Sequence, residues 1–174
     1  MQLNDEIISI MQGREVTYAA MSDLFLSLIE TKQIQMLIDL MPMYEEMAEN
    51  TDNQHIKYGV SHLLEAVNEY KNSDDTARKN LLVDYSREYS RLFCLGNAAA
   101  ISESVYVSPL HLTMQEQELE VSKLYKACNF DMKHTANEPQ DHLSYELMFM
   151  SYLSKGTYQN MEKGDNTQAE SLIN

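Results

Sequence analysis

Glu138, Asp141 and His142 lie within five positions of one another, in the run N-E-P-Q-D-H-L-S-Y-E-L-M-F-M-S-Y-L from Asn137 to Leu153. Two carboxylates and an imidazole set so closely suit two kinds of chemistry. One is a metal site, and the other is an acid/base pair of the sort a small metal-dependent hydrolase uses. The plainer alternative is structural: Asp141 caps a helix, and His142 bonds a neighbouring loop. The chain offers no second cluster of ligands, no phosphate-cradling glycine loop and no G-x-S-x-G elbow.

A helix has to position these residues. Leu143, Leu147, Met150 and Leu153 recur at steps of four, three and three, which places them on one helical face. Pro139 suits a first turn, where its missing N–H costs nothing. Asn137 or Glu138 can cap that turn, and acids there complement the helix dipole. The spacing predicts a helix up to about Ser154, closed by Lys155-Gly156.

The 174 residues suffice for one domain, 1–174, with a real core. With 44% hydrophobic residues, only 5 Gly and 3 Pro, and an abundance of Met, Leu, Glu, Gln and Ala, the composition favours an all-α fold. The twelve Met are read as core fillers. A formal net charge of −14 disfavours nucleic acid and anionic membranes as partners and favours a basic one, such as an Arg-bearing peptide. Cys94 and Cys128 have no metal-like spacing and read as small buried hydrophobes in a reducing compartment. The acidic N-terminus is not a signal peptide, and no run approaches the ~20 apolar residues of a membrane span. A cytoplasmic protein without a cofactor is expected.

Along the chain, Asn4 to Gln12 predicts a short helix that Gly13 interrupts, and Glu15 to Glu30 a second, with Tyr18, Met21, Phe25 and Leu28 inward. Ile34 to Met47 is amphipathic, with Pro42 expected to kink or split it. Gln54 to Tyr70 offers Val60, Leu63, Leu64 and Val67 as a core face, with His55 and His62 on the surface. Thr76 to Leu95 follows, with Leu82, Tyr85, Tyr89, Leu92 and Phe93 buried and Gly96 as its cap. A long ordered loop is expected around 97–112, because Val105, Tyr106 and Val107 suit a strand but find no partner. Gln115 to Cys128 reads as a helix with Leu119, Val121, Leu124, Tyr125 and Cys128 inward. His134 falls in a connector, and Thr167 to Ile173 starts another helical pattern.

Four segments, in order, carry a resemblance. They are Tyr89-x-x-Leu92-Phe93-x-x-Gly96, Ser104-Val105-Tyr106, Glu138-Pro139-x-Asp141-His142-Leu143 and Glu146-Leu147-x-Phe149-Met150-x-x-Leu153. Together they resemble the signature of the TorD/DmsD/NarJ-like redox-enzyme maturation chaperones, over roughly residues 76–153. The resemblance implies a single-domain, all-helical bundle of the TorD-like type and a non-catalytic protein. Its partner would be the twin-arginine leader, and perhaps the body, of a molybdenum-cofactor oxidoreductase subunit, held back from export until the cofactor is in place. It assigns leader binding to Tyr89, Leu92, Phe93, Glu138, Pro139, Asp141 and His142, and bracing of the loop to Ser104 and Tyr106. Asp141 would then pair with a guanidinium, Leu92 or Phe93 would receive apolar leader residues, and His142 would modulate the local charge. Ala98 to Glu103 departs from the family pattern, which often has Pro and an aromatic there. The family usually continues beyond this chain's end, so C-terminal helices are expected to be missing, and a monomer or a domain-swapped dimer is compatible with that. The competing readings are a helical scaffold that binds no leader and a metal-dependent hydrolase using Glu138, Asp141 and His142.

Overall fold

A computed structural model describes residues 2–95, 99–131 and 138–172 of the chain. The protein is all-α, with eight α-helices, one π-helical turn and no β-strand among the described residues. Gly96, the expected cap, and Asn137 and His134 lie outside those residues. The chain forms two compact units, Met1–Leu26 with Ala99–Asn174, and Ser27–Ala98.

In the first unit, α1 (Gln2–Leu26) packs along α7 (Leu143–Glu162). Gly13 does not interrupt α1, contrary to expectation. A Cβ built there would meet nothing within 4 Å, so the position is merely a weak helix former held by its neighbours. The helix also stops at Leu26, four residues short of Glu30. Its buried residues are Met11, Ala20 and Ser22, while Met21 and Leu28, expected inward, are exposed.

On α7 the most buried positions are Ser144, Tyr145, Ser151, Ser154 and Thr157, and the expected face of Leu143, Leu147, Met150 and Leu153 is only half-buried. Small side chains let the helices approach closely, and the hydroxyls of Ser22, Ser151, Ser154 and Thr157 are satisfied on backbone carbonyls. Ser22 Oγ donates to Ser144 O at 2.7 Å and Ser151 Oγ to Glu15 O at 2.9 Å. Ser154 and Thr157 donate back to Met150 O and Leu153 O within α7. Glu15 in turn binds Lys155 Nζ at 2.9 Å and Tyr158 Oη at 2.8 Å.

Gly156 does not end α7. The helix runs through it to Glu162, and the terminating glycine is Gly164 at φ +79°. Gly164 N donates to Met161 O and Asp165 N to Asn160 O, both at 2.9 Å, which is the Schellman pattern. Gly156 serves packing instead: a Cβ there would lie 2.8 Å from Leu172 Cδ1, at the end of α8 (Asn166–Ser171).

The short α5 (Ser104–Val107) and α6 (Glu116–Ala127) complete this unit. On α6 Tyr125 is buried, but Leu119 and Leu124, expected inward, are more than half exposed. Tyr125, Phe130, Phe149 and Tyr152 form a run of ring contacts with centroids 4.8–5.3 Å apart. Cys128 is half-buried, and Cys94, in the other unit, is exposed; neither is the buried hydrophobe expected.

The second unit holds α2 (Thr31–Glu49), α3 (Gln54–Asn72) and α4 (Asp75–Tyr89), followed by a π-helical turn at Ser90–Cys94. Helix α2 is not split at Pro42. Its core face of Ile34, Leu37, Met41 and Tyr44 is continuous, and Pro42 lies on the exposed side, where water can take the bond its ring cannot make. Val60 and Val67 of α3 are buried, Leu63 and Leu64 are half-buried, and His55 and His62 are exposed. Asn53 caps α3 through His55 N and Ile56 N, and Asp74 caps α4 through Ala77 N. The fully buried Gln33 accepts from Glu30 N at 3.0 Å and donates to Ser27 Oγ at 3.3 Å, closing the connection into α2.

Candidate functional site

Helix α7 begins later than the sequence suggests. Its N-cap is His142, not Asn137 or Glu138, and Pro139 precedes the helix in a turn closed by His142 N donating to Pro139 O. The cap is a ring nitrogen. His142 Nδ1 accepts from Ser144 N at 3.2 Å and pairs with Ser144 Oγ at 2.8 Å. Only a neutral imidazole offers that lone pair. Burial pushes the His142 pKa below its ordinary value, against the opposing pull of Glu138 and Asp141, so the ring is neutral at pH 7.

Asp141 is fully buried. Its Oδ2 accepts from Ser104 N at 2.7 Å and from Ser104 Oγ. Both bonds cross from the helix start to α5, so this carboxylate fastens a loop. The backbone reinforces it. Glu103 N donates to Asp141 O at 3.0 Å and Leu143 N to Ile101 O at 2.8 Å, an isolated antiparallel bridge between Ser102 and His142. A single bridged pair therefore exists beside the Ser104-Val105-Tyr106 motif, but just ahead of it, at Ser102; Ser104–Val107 is helical. Tyr106 is exposed and reaches back, its hydroxyl donating to Ala100 O at 2.9 Å. On the other flank, Gln140 N donates to Glu118 Oε1 at 3.4 Å and Tyr125 Oη to Gln140 O at 3.2 Å, tying the turn to α6.

Of the motif residues, Pro139, Asp141 and His142 are thus buried and Glu138 faces solvent. Asp141 Oδ1 and Glu146 Oε1 are buried with no hydrogen-bond partner among the described residues. Burial, with Glu103 and Asp141 near, pushes the Glu146 carboxyl up to about 7. The sequence had not marked Glu146 as a titrating group; its place one turn into α7, five positions after another acid, was the available signal. Among the described residues no three His, Cys, Asp or Glu side chains stand where one metal ion could be held.

Tyr89, Leu92 and Phe93 belong to the second unit. Tyr89 ends α4, and its ring meets that of Phe93 edge-on at 5.1 Å. Leu92 and Phe93 sit half-buried on the π-helical turn, whose Leu95 N donates to Ser90 O at 3.0 Å. Such wide turns recur at functional sites, and no periodicity in the sequence announces them.

Fold and site define an all-α protein whose most chemically equipped cluster holds one of its own loops. No described helix is long and apolar enough to cross a membrane. The chain belongs to the nitrate reductase delta subunit family, whose family model matches residues 50–174. That family is one of redox-enzyme maturation chaperones, not of catalysts. No curated protein and no solved structure gives a match.

Proposed function

We propose that the protein is a cytoplasmic chaperone. It binds the twin-arginine leader of a molybdenum-cofactor oxidoreductase subunit of the nitrate reductase type and assists cofactor insertion, folding and quality control before export. The family match over residues 50–174 carries this reading. The net charge of −14 supports it, since a leader presents two guanidinium groups to a surface rich in carboxylates.

In this reading the leader-binding residues are Tyr89, Leu92 and Phe93 on one unit and Glu138, Pro139, Asp141 and His142 on the other. Glu138, being exposed, supplies the carboxylate that meets a guanidinium. Asp141 and His142 are positioning residues: they fix the loop and the helix start on either side of Pro139. Leu92 and Phe93, half-buried on an irregular turn, offer apolar contact. Ser104 and Tyr106 brace the loop.

Deleting the protein in its host tests the role. Molybdenum-cofactor content of the exported oxidoreductase is expected to fall, to return with the native chain, and to return less with Glu138→Ala or Leu92→Ala. Unchanged cofactor content in every molybdoenzyme of the host would contradict a maturation role.

A further inference from the structure

The segment from Ser104 to Met114 is tightly bonded yet holds its apolar side chains out. Tyr106, Val107, Leu110, Leu112 and Met114 are each more than half exposed. Such residues scattered singly need no explanation, but five of them in nine consecutive positions are a surface that something covers. Disorder does not account for it. Ser108 N donates to Ser104 O, His111 N to Ser108 O, and Gln115 N to Ser104 Oγ, while His111 Nδ1 pairs with Val105 O at 2.9 Å. His111 and Met114 adopt φ of 51° and 58°, a left-handed conformation that non-glycine residues rarely take. Backbone strain of this kind persists only when the surroundings hold it, and it recurs at ligand clamps.

The sequence around this segment carries charge of one sign. From Leu92 to Ser122 the chain has Glu103, Glu116, Glu118 and Glu120 and not one Lys or Arg. A second copy of the same chain would bring carboxylates against carboxylates, so a self-association seat is disfavoured.

We propose that the surface from Tyr106 to Met114 is the seat of an apolar peptide run bordered by basic residues. It rests on the leader-binding reading, and gives the leader's apolar part a place on this surface. The apolar side chains cover the run, and the flanking glutamates meet its basic ends.

The test uses the full-length protein and two probes: a synthetic twin-arginine leader, and a designed peptide of Leu and Ala bordered by Arg. Each is titrated by calorimetry into the native chain and into the triple variant Leu110→Gln, Leu112→Gln, Met114→Gln. These side chains already face water, so far-UV circular dichroism and the unfolding midpoint should stay unchanged. The triple variant is expected to bind the designed peptide at least about tenfold more weakly, and added salt to weaken native binding. A version of the peptide bordered by Glu should bind far less. If the designed peptide binds the native chain and the variant equally, or binds neither, the seat is wrong. If the leader binds both chains equally well, the seat is wrong and the leader reading stands. If the designed peptide behaves as expected but no leader binds, the seat stands and the leader reading falls.

Discussion

Ser104 gives both its backbone N–H and its hydroxyl to one oxygen of Asp141, 37 positions away and fully buried. Removing the hydroxyl leaves a buried carboxylate short of a donor, the costlier way to lose a hydrogen bond. Ser104→Ala should therefore cost ~1–3 kcal/mol in urea unfolding. Tyr106→Phe, which loses an exposed bond to Ala100 O, should cost under about 1 kcal/mol. Glu146 gives the same cluster a pH signature. Its folded pKa of about 7 lies above the ordinary carboxyl value of 4.5, so the folded state holds a proton that the unfolded chain has released. Stability from this group is fully present below pH 4.5 and is lost as pH rises from 4.5 through 7. Glu146→Gln should flatten that slope and raise stability at pH 8, by about 2 kcal/mol once the half-buried carboxyl is discounted for solvent screening, measured as unfolding free energy against pH. His142 acts in the opposite sense. Its lowered pKa removes stability as pH falls below 6.5, so acid unfolding should begin with loss of the α7 cap. The E-P-x-D-H spacing was legible as a helix-start cluster. That His142 rather than Asn137 or Glu138 caps the helix was not, because an imidazole acts as a cap only when neutral and buried, which tertiary packing decides.

At the scale of elements, glycine and proline were poor guides to helix ends. Gly13, Pro42 and Gly156 all lie inside continuous helices, and the true terminator of α7 is Gly164. Their roles differ, which two substitutions make measurable. Gly13→Ala adds a methyl in open space and should stabilise by ~0.5–1 kcal/mol, since only helix propensity changes. Gly156→Ala gains the same propensity but pushes Leu172 aside, so it should be worth less and should speed hydrogen exchange in α8. The α7 face that packs on α1 was missed for a related reason. Apolar periodicity picked out Leu143, Leu147, Met150 and Leu153, whereas close approach of two helices rewards Ser144, Ser151 and Thr157, which count as polar in any hydropathy pattern. Periodicity did mark α2 as amphipathic and did find Val60 and Val67 in the core of α3, where the buried face is aliphatic.

For the molecule as a whole, the all-α class was legible from sparse breakers and from apolar steps of three and four, and the chaperone family from four short segments in a fixed order. The division into two compact units left no mark on the sequence: Leu26 and Ala98 sit in no Pro- or Gly-rich linker, and the first unit is assembled from both ends of the chain. The proposed site residues are accordingly split, with Tyr89, Leu92 and Phe93 in one unit and Glu138, Pro139, Asp141 and His142 in the other. A panel of twin-arginine leaders from the host's molybdoenzymes, titrated by calorimetry into the native protein and into Glu138→Gln, measures the central claim directly. One leader should bind tightly, and Glu138→Gln should weaken it about tenfold or more while helicity persists. Failure of every leader to bind the native protein, at low salt as well as high, would contradict leader recognition and leave a helical scaffold whose partner is recognised another way.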